Sequence, residues 1–188
     1  MVATNEPSKE AAITRAAFEA FMRYGFKRVT MEDIARGAGI SRPAVYLCFN
    51  NKEEILRAVL ADQVALTLDR VRAAISAADA LADKLRAAFE SWTIDGYRLM
   101  HTNPDARDLV DCTLEFAADI MEDGYRSFEM IVASLLQAYA RADADPSHIE
   151  QIARTLVLSG RGIKELVADE DELRGTISTL IDMAVSAA

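Results

Sequence analysis

Thr30-Met31-Glu32-Asp33-Ile34-Ala35-Arg36-Gly37-Ala38-Gly39-Ile40-Ser41-Arg42-Pro43-Ala44-Val45-Tyr46-Leu47-Cys48-Phe49 reads as two short helices joined by a tight turn, the geometry that lays a helix in the major groove of DNA. Thr30 and Asp33 form a capping-box pattern, in which the hydroxyl accepts the Asp33 amide and the carboxylate reaches back to the Thr30 amide. Ala35 is small where the second helix crosses the first. Gly39 supplies the positive φ that ends the first helix. Ser41 caps the second helix, and Pro43 falls in its first turn, where a missing N–H costs little. The spacing turns Ile34, Ala38, Ile40, Val45 and Cys48 inward and leaves Arg42, Ala44, Tyr46 and Leu47 to face outward.

Working outward, residues 8 to 24 carry Ile13, Ala17, Phe21 and Tyr24 at helical spacing, with Gly25 as a C-terminal cap. Residues 1–7, ending at Pro7, read as a loose arm. Asn51-Lys52-Glu53-Glu54 is a second capping pattern and opens a long helix to about Ala77 without Gly or Pro, so head and body would be linked without a flexible joint. Further helices are predicted from Asp79 to about His101, Asp105 to Phe116, Ala118 to Arg141, Ser147 to Ala168 and Asp171 to Val185.

The chain has 188 residues, 51% of them hydrophobic, and its apolar residues recur at helical rather than alternating spacing, which predicts an all-α protein with a real core. Cys48 and Cys112 stand far apart, without a CxxC pair and with only two His, so neither a disulfide framework nor a zinc site is indicated. No basic-then-apolar leader and no apolar run of roughly 20 residues occurs, which predicts a cytoplasmic protein with no membrane partner. The formal net charge of −9 is unusual for a DNA binder, since affinity for a duplex comes largely from neutralising phosphates. Its distribution is more informative: residues 1–60 hold nine Lys/Arg against seven Asp/Glu, and residues 61–188 hold twelve against twenty-three. A mildly basic head on an acidic body would turn the head toward DNA.

Together, Ile13, Ala16, Ala17, Phe21, Gly25, Phe26, Thr30, Ile34, Ala35, Ala38, Gly39, Ile40, Ser41, Val45, Tyr46, Phe49, Lys52 and Glu53 resemble the head of a TetR-family transcriptional regulator. The resemblance covers residues 10–57; beyond it the chain matches in length and helicity. It implies a DNA-binding head over residues 1–50, an effector-binding and dimerisation body over 51–188, about nine helices, a homodimer, and a small molecule that changes the separation of the two reading helices. Three departures stand out: Met31 where a second Thr is frequent, Pro43 where a small residue is frequent, and Cys48 where a His is common. The inward spacing of Cys48 favours a packed thiol over an oxidation sensor.

By motif position, Thr30, Tyr46 and Lys52 are the expected phosphate contacts, with Lys27, Arg28 and Asn50 as lesser backbone candidates. Arg42 is the expected base reader, because a guanidinium grips guanine O6 and N7 with two bonds. Ala44 and Leu47 are placed to meet thymine methyls, while Ser41 and Pro43 set the start of the reader. A phosphate contact for Arg42 and a core position for Tyr46 are the competing assignments. For the dimer, Ile152, Leu156, Ser159, Gly160 and Ile163 would join Leu173, Ile177, Leu180 and Ile181 across the dyad; the competing assignment is the protomer's own core.

In the body, Phe89, Trp92, Met100, Phe116, Met121, Tyr125 and Phe128 could line an apolar pocket, although such a stripe is more often ordinary core. Asp95, His101, Cys112 and Glu115 are possible polar neighbours. Asp105, Asp108, Asp111 and Glu115 form an acidic stripe, read as a solvated face rather than a metal site. No catalytic constellation, cofactor motif or metal site emerges. The sequence therefore predicts a repressor that binds a pseudo-palindromic operator on double-stranded DNA and is released by a small apolar or amphipathic effector. A helical enzyme or a protein-binding scaffold with a borrowed head is the alternative.

Overall fold

The computed structural model describes residues 8–101 and 107–187, so the arm over residues 1–7 and the helix start at Asp105 lie outside the described residues. Every regular element among these residues is a helix. In chain order they are α1 (Lys9–Tyr24), α2 (Met31–Gly37), α3 (Arg42–Tyr46), α4 (Lys52–Ser76), α5 (Leu81–Phe89), a π-helical segment (Glu90–Ile94), α6 (Asp95–His101), α7 (Arg107–Phe116), α8 (Ala118–Tyr139), α9 (Pro146–Ile163) and α10 (Glu170–Ala187). Because α5, the π segment and α6 follow one another without a break, the ten α segments form nine continuous rods among the described residues, the number the resemblance implies.

The caps explain the boundaries. The Ser8 hydroxyl accepts the Ala11 amide at 3.1 Å, and α1 stops at Gly25, whose φ is +77°. The Thr30–Asp33 capping box forms as the sequence predicts. At the other end of α2, the Ile40 amide bonds the Ala35 carbonyl at 3.0 Å and the Gly39 amide bonds the Arg36 carbonyl at 3.2 Å. With Gly39 at φ +69°, this is a Schellman stop that satisfies carbonyls a seven-residue helix cannot satisfy itself. The Asn51 carboxamide accepts the Glu54 amide at 2.8 Å, while Glu54 reaches back to the Asn50 amide, also at 2.8 Å.

Packing divides the chain into two compact units. The first holds residues up to Gln63 together with Met100–Met121; the second holds Val64–Leu99 and the chain from Glu122 onward. This division by packing differs from the functional boundary expected after residue 50, because α7 belongs with the first unit. Ile13, Phe21, Ile34, Val45, Ile55 and Leu56 are fully buried in the first core, and burying each such side chain contributes about 1.5–3 kcal/mol. Tyr24, expected on the buried face of α1, is half exposed.

The second core is built on Leu85, Phe89, Phe128, Leu136, Ile149, Leu173 and Ile181. Gly124 is required there by close approach: a Cβ would stand 2.9 Å from Val64 Cγ1 and 3.1 Å from Trp92 Cη2. No described helix is long and apolar enough to cross a membrane.

Candidate nucleic-acid interface

Helix α3 has one fully buried side chain, Val45, which fixes it to the first core. The Ser41 hydroxyl accepts the Ala44 amide at 3.3 Å, and Pro43 lies in the first turn. That anchoring leaves Arg42, Tyr46 and Leu47 exposed and Ala44 half-buried. Leu47 is 86% exposed. Arg42 Nη2 donates a long hydrogen bond to the Tyr46 hydroxyl at 3.4 Å, and its guanidinium carbon lies 5.6 Å from the Tyr46 ring centre. The hydrogen bond and the field of that hydroxyl raise the Arg42 pKa above its ordinary value, with a smaller contribution from Glu32 of α2.

Of the expected phosphate contacts, Tyr46 is exposed on this face. Thr30 is exposed too, but its hydroxyl donates to Asp33 Oδ2 at 2.6 Å and accepts the Asp33 amide at 3.2 Å. The Thr30 hydroxyl and amide together hold the Asp33 carboxyl below the usual carboxylate range. A phosphate would have to compete with that carboxylate for the hydroxyl hydrogen.

Lys52 is a correction. Its ammonium donates to the Phe26 carbonyl at 2.7 Å, the Val29 carbonyl at 2.8 Å and the Lys27 carbonyl at 3.5 Å, and lies 4.3 Å from the Phe26 ring centre. An ammonium has three donors, and these carbonyls of the α1–α2 connection occupy them, so Lys52 staples the fold rather than facing solvent. The departures at Met31 and Cys48 also concern packing. Met31 is buried and Cys48 is half-buried against the same core.

Asp108 departs from the solvated face expected of the acidic stripe. Its carboxylate accepts the Phe26 amide at 3.3 Å and the Lys27 amide at 3.0 Å, whereas Asp111 and Glu115 are exposed. The signal available in the sequence was Gly25, since a positive-φ glycine followed by two free amides makes a concave anion seat. Arg57 ties down the other end of α7, donating to the Phe116 carbonyl at 2.8 Å and forking onto Asp119 with two bonds of 2.7 Å. This pairing lowers the Asp119 pKa to about 2. Among the described residues, no group of three or more His, Cys, Asp or Glu could hold a metal ion.

The seven expected pocket residues are not brought together within one unit. Met100 and Phe116 pack on the first core and Met121 falls in the same unit, whereas Phe89, Trp92, Tyr125 and Phe128 belong to the second. Those four are closely packed: Trp92 stacks on Phe128 with ring centres 5.0 Å apart and planes 11° from parallel, and Phe89 meets Phe128 edge-on at 5.1 Å. A cleft of about 270 Å³ lies elsewhere in this unit, between α8 and α9, lined by Glu122, Tyr125, Arg126, Glu129, Arg154, Val157, Leu158 and Arg161. Of the expected residues, only Tyr125 reaches it.

The dimer assignment is also corrected in part. Leu156, Gly160, Leu173, Ile177 and Ile181 are buried in the protomer's own core, so they have no surface left for a partner. Gly160 serves internal packing, since a Cβ there would stand 3.0 Å from Phe89 Cε1. Ile152, Ser159, Ile163 and Leu180 are half-buried. The reason is periodicity: a single apolar stripe on α9 and on α10 is consumed in closing the second core.

Residues 13–59, which contain the helix-turn-helix, match the family model of bacterial regulatory proteins of the tetR family. Over these residues the chain is similar to the TetR family. The probable HTH-type transcriptional regulator ArpR of Pseudomonas putida is 41% identical over 80 residues, which are 42% of this chain and 38% of that protein. The HTH-type transcriptional activator FasR of Mycolicibacterium smegmatis is 35% identical over 94 residues, covering 47% of this chain and 43% of FasR. The matched part thus spans less than half the length of these curated relatives. A TetR-family transcriptional regulator from Streptomyces coelicolor shares the fold over 95% of this chain and 94% of its own, with a TM-score of 0.68 at 19% identity. TetR-like likeness therefore extends through both units in fold, while sequence likeness centres on the head.

Proposed function

We propose that this chain is a cytoplasmic DNA-binding transcriptional regulator of the TetR family, acting as a homodimer on a pseudo-palindromic operator and responding to a small molecule. The observation that carries the reading is α3 itself. Its inward residue is sealed in the core, while Arg42, Tyr46 and an almost bare Leu47 point outward from a helix whose start is capped by Ser41. Arg42 reads a guanine edge, Leu47 with Ala44 meets thymine methyls, and Tyr46 lies beside them on the exposed face.

One five-residue helix reads too few bases to be selective, so two copies would engage half-sites about 34–36 Å apart. The dimer would use the outer faces of α9 and α10, where Thr155, Gly162, Gly175, Thr179 and Met183 are exposed on the side away from the buried stripe. Gly162 and Gly175 have open space above them, which permits close helix approach. The effector would be apolar or amphipathic, and the α8–α9 cleft, which sets Val157 and Leu158 among arginines and glutamates, suits the second of these. Repression by occupying a promoter would follow if the effector favours the spacing that does not bind.

The test is a mobility shift with genomic fragments at two salt concentrations. A discrete set of retained fragments, with affinity falling steeply as salt rises, is expected. Failure to retain any particular fragment, or binding indifferent to salt, would overturn the reading.

A further inference from the structure

We infer that Arg42 and Tyr46 form a single reading unit, in which Tyr46 is a positioning residue that aims the Arg42 guanidinium at a guanine rather than an independent phosphate anchor. The inference rests on the reading of α3 as the DNA-contacting helix and goes beyond it by dividing the labour on that face.

Four residues apart on a helix, the two side chains share one face. The Arg42 guanidinium carbon is 5.6 Å from the Tyr46 ring centre, within cation–π range, and Nη2 donates to the phenol oxygen at 3.4 Å. Both groups are exposed, so the pairing exists without burial to enforce it. One of the five guanidinium N–H donors is occupied and the others remain, enough for the two-bond grip on guanine O6 and N7. Glu32 on α2 adds a negative field at Arg42. A carboxylate near an arginine makes a phosphate a poorer companion for it while leaving a neutral base edge acceptable. Holding a long, rotamer-rich side chain in advance removes part of the ordering cost of binding.

The experiment uses the full chain and double-stranded DNA selected by it from a random pool, with affinities for the selected site and for sites altered one base pair at a time. Arg42→Ala should abolish the preference for guanine at one position of each half-site, about a 5- to 100-fold loss of discrimination. Tyr46→Phe keeps the ring and removes the acceptor. It should relax that same position by about 2- to 10-fold, while the affinity for sites already altered at that base pair stays close to that of the wild type. In the Arg42→Ala background, Tyr46→Phe should add nothing, because its effect passes through the arginine.

A uniform loss at every sequence, with the guanine preference intact, would show Tyr46 to be a phosphate contact and overturn the inference. So would additive effects in the double variant, or no change at the guanine position. A wild-type chain that enriches no sequence from the pool would instead sink the DNA-reading function itself, and this inference with it.

Discussion

The two units use their charged side chains in different proportions. In the first, charges mainly hold backbone, the Arg57–Asp119 pair aside: Lys52 takes the Phe26 and Val29 carbonyls, Asp108 the Phe26 and Lys27 amides, Asp33 the Thr30 amide, and Glu54 the Asn50 amide. In the second, charges mainly hold one another: Arg98 and Arg174 bridge Glu90 and Glu170, Arg86 meets Asp182, and Arg161 meets Glu122. Helix length explains the difference. Every helix leaves four amides and four carbonyls without internal partners, which is most of α2 and α3 but little of α8, α9 or α10. A unit made of short helices and turns needs side chains at its ends, and those side chains are then unavailable to DNA. What the head offers a duplex is therefore narrower than its count of lysines and arginines suggests.

The sharpest way to break this comparison is Gly25→Ala. At φ +77° and ψ 152° the backbone is in a region open essentially only to glycine, and a Cβ would meet the Asp108 carboxylate oxygens at 2.7 and 2.8 Å. Strain and the displaced carboxylate together should cost about 2–4 kcal/mol in urea denaturation followed by circular dichroism. Gly96→Ala is its counterpart in the second unit, inside α6 with nothing within 4 Å of the new Cβ. There the expected change is a gain of about 0.5–1 kcal/mol. Equal effects at the two sites would show that Asp108 does not support the head's backbone.

Next in size is Lys52→Met, which leaves two part-buried carbonyls without their charged donor and should cost about 1.5–3 kcal/mol. Arg161→Met in the second unit removes an exposed side-chain pair and a stacking contact on Tyr125, and its cost should be a fraction of that. Well below its melting temperature, Lys52→Met should retain the wild-type salt dependence of DNA binding. A slope shallower by about one unit would mean that Lys52 neutralises a phosphate after all.

These contrasts also explain what could be read from residues alone. The head's caps are local, so Ser8, Thr30 with Asp33, Gly39, Ser41 and Asn51 announced its helix boundaries. Inward and outward faces of α3 followed from spacing for the same reason. The roles of Lys52 and Asp108 are not legible locally because their partners lie 23–26 and 81–82 residues away, and nothing in a charged residue's neighbours says whether it will meet solvent or a distant backbone group. In the second unit, a helical stripe of Leu, Ile and Gly on α9 and α10 says only that the face is covered. Whether its own core or a partner covers Leu156 or Ile181 depends on tertiary packing, and here it is the core. The aromatic residues from Phe89 to Phe128 pack largely on one another, and periodicity marks such a buried face without saying whether space is left beside it.

The smallest predicted effect concerns the second unit's ion network and its dependence on acid. Hydrogen bonds from Arg98 first, and then Arg174, lower the Glu170 pKa from its ordinary 4.5 to about 2. The folded state thus keeps this carboxylate ionised where the unfolded chain takes up a proton. The stabilisation is complete above about pH 4.5 and is lost as pH falls through about 2, because a depressed carboxyl pKa favours the folded state only while the group stays charged. Between about pH 6 and about pH 3, the urea midpoint of the wild type should fall further than that of Glu170→Gln, which has no carboxylate to protonate. Because these side chains are partly exposed and salt screens them, raising the ionic strength should bring the two proteins together. Parallel behaviour of both proteins across this range would show that the side-chain network contributes no stability, leaving backbone-directed charges such as Lys52 and Asp108 as the ones on which the fold depends.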